Sequence, residues 1–337
     1  MVNSRAVLPI LTLLIVILLL FTITTLALGA ANIKVSEVIK IIKEGPSSES
    51  SPNNKIIWQL RFPRILTSVV AGSILAVSGM VFQALFRNPM ADPYVLGISS
   101  GGAFGVAFGA YFNLISAVTG VWQIPLAAFA GSFGSALLIL TLSGGVRRNT
   151  TTLLLFGVAL NFLLSALMTL FMFLDRSQLQ SILQWSMGSF ATSSWQKLKV
   201  LTIVGFLGII PLLFLTKELD ILLVDEETAL SLGVGVNKVR TVLLLCSTLI
   251  TSVTVAFCGI IGFVGLIVPH IMRLIVGPKH KHLFLFSLFG GAFLTLISDT
   301  IARMAVAPSE LPVGIITAIA GSPLFIILLV RHKRGSL

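Results

Sequence analysis

The sequence predicts an all-α membrane protein of about ten transmembrane helices, a fold class that follows from three observations. Of the 337 residues, 56% are hydrophobic and only 10% charged, with a mean hydropathy of +1.03. Soluble domains carry roughly 25% charged residues, so this chain lacks the polar surface needed to face water all round. Apolar runs of about 20 residues, the length that crosses a bilayer, recur from one end to the other. The charged residues fall in short tracts between those runs, as at Arg147-Arg148 and Arg331-His332-Lys333-Arg334.

The first run, 7–30, follows Arg5 and resembles a secretory signal. It is longer than the apolar core of a signal, about 7–15 residues, and reads as a span that is kept. An outer loop, 32–63, comes next. Within it Val35–Lys43 has apolar residues at helical spacing, which predicts a surface helix, and the Pro- and Ser-rich 46–52 reads as a flexible loop. Spans two to five lie at 64–86, 93–111, 124–143 and 152–174. Residues 177–190 are again amphipathic, with Trp185 suited to the membrane interface.

Span six, 198–216, leads into the longest and most charged inside connection, 217–240. There Glu226–Leu232 can form a short helix that Gly233 and Gly235 end, and 237–240 leads into span seven, 240–258. Spans eight to ten follow at 260–276, 283–305 and 312–330, the eighth interrupted by Pro269-His270. Glycines at four-residue spacing (Gly101, Gly105, Gly109) and at three (Gly259, Gly262, Gly265) read as close helix packing. The whole, 1–337, reads as a single permease domain.

An even number of spans puts both termini on one side. With both cytoplasmic, the inside loops hold Arg87, Arg147, Arg148, Lys217, Lys238, Arg240, Lys279 and Lys281, as the positive-inside rule asks. The net charge of +11 is therefore a topology and lipid-headgroup signal, and no nucleic-acid partner is expected. One exception stands out: the first outer loop carries Lys34, Lys40, Lys43, Lys55 and Arg61.

The spans are nearly bare of the ionisable groups that an ion-coupled secondary transporter keeps at mid-membrane. Asp299 and Arg303, one helical turn apart, can pair with each other. No Gly-Lys dipeptide occurs, so a phosphate-binding P-loop is excluded and any ATP must be bound by another chain. Nor is there a cluster for an intramembrane enzyme. The four histidines stand at 270, 280, 282 and 332, and Cys246 and Cys258 share one apolar run without metal-ligand spacing. No metal, cofactor or catalytic residue is expected on this chain.

Seven ordered blocks carry a resemblance: LRFPR (60–64), GMVFQALFRNPMADPYVLGISSGG (79–102), LLFGVALN (154–161), ALSLGVG (229–235), GFVGLIVPHIMR (262–273), DTIAR (299–303) and ELPVGIITAIAGSPLF (310–325). Over nearly its whole length the chain resembles the FecCD-type permeases of ABC importers, which take up ferric siderophores, haem and vitamin B12. The resemblance implies a type II importer permease in a prokaryotic cytoplasmic membrane. It implies a homodimer with two ATPase subunits, which use ATP and Mg, below and a substrate-binding protein above. It assigns ATPase coupling to Glu226, Ala229, Leu230, Leu232, Gly233, Gly235 and Val236. Docking of acidic residues of the binding protein falls to Arg61, Arg64 and Arg303. Gate and pathway positions are Asn88, Met90, Asn149, Thr150, Gly157, Asn161 and Ser165, with Asn161 equally readable as an interhelical hydrogen bond. A ferric siderophore is the expected cargo, with haem, vitamin B12 and molybdate as alternatives.

Overall fold

A computed structural model describes every residue except 1–3, 30, 32, 47–50, 115–121, 143–149, 178, 225 and 334–337. Among the described residues there is no strand. Helices suit a bilayer because each one satisfies its own backbone donors and acceptors. In chain order, α1 (Ser4–Ala27) and the surface helix α2 (Val35–Glu44) precede a continuous 34-residue column, Pro52–Leu85. The column joins α3 (Pro52–Lys55), a π-helical stretch over Ile56–Arg61 and α4 (Phe62–Leu85). A 3-10 turn at Pro93–Leu96 leads into α5 (Ile98–Tyr111), followed by α6 (Gln123–Leu142), α7 (Thr150–Leu174), α8 (Leu179–Ser186) and α9 (Trp195–Phe214). Two short helices, α10 (Thr216–Val224) and α11 (Glu226–Ser231), form the long connection. The chain then runs through α12 (Val236–Cys258), α13 (Val264–Val276), α14 (His280–Met304) and α15 (Val313–Lys333).

Seven of these helices are long and apolar enough to cross a membrane: α1, the Pro52–Leu85 column, α6, α7, α9, α12 and α14. Of the other three expected spans, α15 has its apolar stretch over Val313–Leu328, and two helices are shorter still. α5 has 14 residues and α13 has 13, about 20 Å each at 1.5 Å per residue, against a hydrocarbon core of about 30 Å. In place of unbroken spans at 93–111 and 260–276, the chain breaks at Gly97 (φ +74°) and at Phe263 (φ +68°). Irregular backbone at membrane depth is tolerated where protein buries it and supplies its hydrogen bonds. Here the two breaks serve each other: the Tyr94 hydroxyl donates to the Ile261 carbonyl at 3.0 Å and accepts from the Ile261 N–H at 3.3 Å.

Two further boundaries move. The second span, expected at 64–86, is helical from Pro52, so much of the outer loop 32–63 belongs to helices. The connection expected as loop from 217 opens with a helix of its own, α10.

Burial sorts the helices. In the most apolar 18-residue window of each, 83% of the column's residues and 72% of α12's are buried, against 11% in α1 and 17% in α7. α4 can be central because its contact faces are small. Gly72 meets Gly291 on α14, and Gly79 meets Gly265 on α13, so closely that a Cβ on Gly79 would overlap the Gly265 carbonyl. Gly101 and Gly105 of α5 approach Gly131 of α6 in the same way. Hydroxyls add crosslinks, with Ser73 donating to the Leu288 carbonyl at 3.0 Å and Thr295 to that of Ser68 at 2.8 Å. Lipid tails compete for apolar contacts, so close approach and hydrogen bonds of this kind hold membrane helices together.

Candidate functional site

The coupling and docking residues singled out by the sequence fall at the two ends of the bundle. At one end, α11 is closed by a hydrogen-bonded cap. The Gly233 N–H donates to the Leu230 carbonyl and the Val234 N–H to that of Ala229, both at 2.9 Å, with Gly233 at φ +78°. This six-to-one and five-to-two pairing is the Schellman arrangement, whose left-handed residue glycine adopts without steric cost. The cap folds the chain back so that Ala229, Leu222 and Val236 bury one another, while Leu230 and Leu232 project, 63% and 65% exposed. Residues 226 and 227 are described as helix only.

This knuckle is tied to the spans at two points. Arg87, just past α4, donates to the Leu222 carbonyl at 2.8 Å. Asp220 accepts from the His280 N–H at 3.0 Å and lies 2.6 Å from Nδ1 of the same histidine, which is buried at the start of α14. α10 is thereby bonded to the end of α4 and to the start of α14, and those two helices pack on each other through Gly72 and Gly291.

At the opposite end stand the three arginines that the resemblance assigns to pairing with acidic residues of the binding protein. In the single chain Arg61, Arg64 and Arg303 are 7%, 9% and 5% exposed, and each turns donors toward its own chain. Arg61 donates to the carbonyls of Leu26 (2.6 Å), Ala27 (3.1 Å) and Ala31, just past α1. Arg64 grips Asp299 through Nε (3.0 Å) and Nη2 (2.8 Å) and Glu310 through Nη1 (2.6 Å). The expected Asp299–Arg303 pair is present at 3.3 Å, and Arg303 also donates to Leu28 at 3.2 Å. A buried guanidinium must pair its five donors, which is why these residues brace the rim. The partly exposed group of the network is Glu310, with 41% of its side chain accessible.

The expected gate and pathway residues divide. Asn88 caps its own turn, its side-chain oxygen accepting from the Met90 N–H at 2.9 Å, and Met90 lines a cavity of about 20 Å3 with Leu266, His270 and Phe325. Asn149 lies outside the described residues, and Thr150 opens α7. Gly157 is pressed against the Val95 carbonyl. Asn161 accepts from the Ser100 hydroxyl at 2.6 Å and donates to the Val95 carbonyl at 3.4 Å, the interhelical reading of that residue. Ser165 is exposed. Trp185, expected at the interface, is half-buried and packs toward Gly102. The 46–52 loop lies largely outside the described residues.

Sequence reasoning left out Glu310, Asp220, Arg87 and Lys197. Each is a charged residue in a connection or at a helix end; the partners of Glu310, Asp220 and Arg87 come from distant parts of the chain, whereas Lys197 bonds to Thr192, five residues before it. The only available signal was the rarity of charge in such a sequence.

The chain matches the FecCD transport family over residues 15–331. The hemin transport system permease protein HmuU of Yersinia pestis is 37% identical over 322 residues, covering 94% of this chain and 95% of the relative. The molybdate import system permease protein MolB of Haemophilus influenzae is 34% identical over 326 residues, 95% of both chains. Among solved structures, an ABC transporter in an inward-facing conformation superimposes with a TM-score of 0.85 at 33% identity, over 96% of this chain and 99% of the other.

Proposed function

The chain belongs to the FecCD transport family of ABC-importer permeases, and on that premise we propose that it carries a ferric chelate across the cytoplasmic membrane as a homodimer. ATP is hydrolysed on two separate ATPase subunits, and a substrate-binding protein delivers the cargo. One observation carries the energy coupling: a capped knuckle exposes Leu230 and Leu232 outside the long apolar helices while being bonded to two core spans. Large apolar side chains displayed on a polar connection mark a protein contact. ATP-driven closure of the ATPase pair moves α10 and α11, and packed helices with two discrete arrangements turn that movement into a gate movement.

At the other end, Arg61, Arg64 and Arg303 act on the binding protein through the rim they hold, with Glu310 at its accessible edge. The ferric chelate rests on the resemblance to siderophore permeases. Haem and molybdate form the second reading, favoured by the two relatives named above.

Reconstitution tests the proposal. The chain, its ATPase and its binding protein in proteoliposomes should accumulate a ferric siderophore in preference to hemin or molybdate, and only with ATP. Uptake without the ATPase, or uptake that follows an ion gradient, would sink it. Gly233→Val should uncouple ATP hydrolysis from uptake. Its Cβ would meet open space, so the damage comes from the left-handed backbone, about 1–3 kcal/mol of local strain. Unchanged coupling in that variant would remove the knuckle from the mechanism.

A further inference from the structure

A cavity of about 660 Å3 lies at the end of the bundle opposite α11. It is walled by the start of α6, by α8, by the first turn of α9, by the last turn of α12 and by residues 310–312. Aromatic faces of Trp185 and Phe257 alternate there with the polar side chains of Gln123, Gln184 and Ser189. Pockets of this size take a small molecule or one arm of a larger one.

Two charged residues line it, Lys197 and Glu310. The Glu310 carboxylate is neutralised by Arg64 at 2.6 Å. Lys197 has no such partner. Its residue is 9% exposed, its ammonium donates to the Thr192 carbonyl at 3.0 Å, and among the described residues no carboxylate lies within ion-pair distance of it. An ammonium has three donors, so two remain to be filled from the cavity. A lysine at the head of a membrane helix ordinarily reaches for headgroups and water. Lys199, two residues on, is exposed in that way, whereas Lys197 is folded inward. The cavity thus holds one uncompensated positive charge beside unused hydrogen-bonding groups, and a buried cation demands a counter-charge.

We propose that this cavity is an anion subsite of the import route, in which Lys197 Nζ takes an oxyanion or carboxylate group of the cargo as it enters from the outer side. The assignment of the anion to cargo rests on the importer reading above. The shared chemistry also fits a lipid phosphate, and the test separates the two sources.

Full-length chain in phosphatidylcholine nanodiscs is titrated calorimetrically with molybdate and with citrate, an oxyanion and a carboxylate probe. Saturable binding is expected, at least tenfold weaker in Lys197→Met and largely retained in Lys197→Arg. Gln184→Leu, which leaves the charge in place, should weaken binding by a smaller factor. Melting temperatures of all three variants within a few degrees of the parent establish that the fold is intact. No saturable binding of either probe, or equal binding by Lys197→Met, overturns the proposal. Loss of probe binding in phosphatidylglycerol nanodiscs, by competition, assigns the site to a lipid phosphate and overturns the cargo assignment. The assay contains no ATPase, so a failure of the importer reading appears only in the reconstituted uptake and leaves this result distinguishable.

Discussion

Asp299 has no exposed surface and holds two guanidiniums, Arg64 at 2.8 Å and Arg303 at 3.3 Å. Removing it leaves Arg303 without its carboxylate and Arg64 with only Glu310, two buried cations sharing one counter-charge. Breaking a buried ion pair costs about 3–5 kcal/mol, whereas replacing the whole set by apolar side chains of similar size is often neutral or better. Asp299→Ala should therefore lose most of its folded yield and unfold at lower denaturant in detergent. The triple change Asp299→Leu, Arg64→Met, Arg303→Met should recover much of that loss. A single variant as stable as the parent would show that the network carries no stability. Only part of this network was legible in the sequence. The Asp299–Arg303 spacing of four lies along one helix face, so it could be read directly. Arg64 comes from 235 residues away, and nothing local announces it.

At the scale of elements, glycine identity sorts by what stands opposite. Gly79 abuts the Gly265 backbone and Gly72 that of Gly291, while Gly134 has open space around it. Gly79→Val forces α4 and α13 apart and should abolish accumulation of folded permease in the membrane. Gly134→Ala should be neutral or should raise the melting temperature, since alanine is favoured over glycine in a helix by about 1 kcal/mol. Equal behaviour of the two variants would contradict the packing described. Helix positions were largely readable, because length and hydropathy alone fix them. Their breaks were not. Phe263 adopts a left-handed backbone without being glycine, and α5 starts only after a 3-10 turn. Both departures are stabilised by Tyr94 on Ile261, a contact that spans 167 residues.

For the whole molecule, the knuckle and the arginine rim lie at opposite ends of α4, and an even number of crossings would put both termini on the knuckle's side, the arrangement we propose. Single cysteines in a Cys-free background test this. Leu232→Cys should react with a membrane-impermeant thiol reagent only in inside-out vesicles, and Lys40→Cys on α2 only in intact cells. A reporter fused to the last residue should behave as cytoplasmic. Labelling of both cysteines from one side would refute the arrangement.

The sequence by itself determined what depends on composition, period and local turn chemistry. That includes a multi-pass helical membrane protein, the helices α2 and α8, the glycine-capped knuckle and the family. These are properties of a few consecutive residues or of ordered motifs, and no tertiary contact is needed to read them. Only the tertiary structure decided which charges are free. Arg61, Arg64 and Arg303 look alike in sequence to any exposed arginine, yet all three are enclosed, while Lys197 is left facing a cavity without a counter-charge. The physical reason is that pairing in a low-dielectric interior depends on which helices meet. Such partners lie as far apart along the chain as residues 64 and 299, and hydropathy carries no record of them.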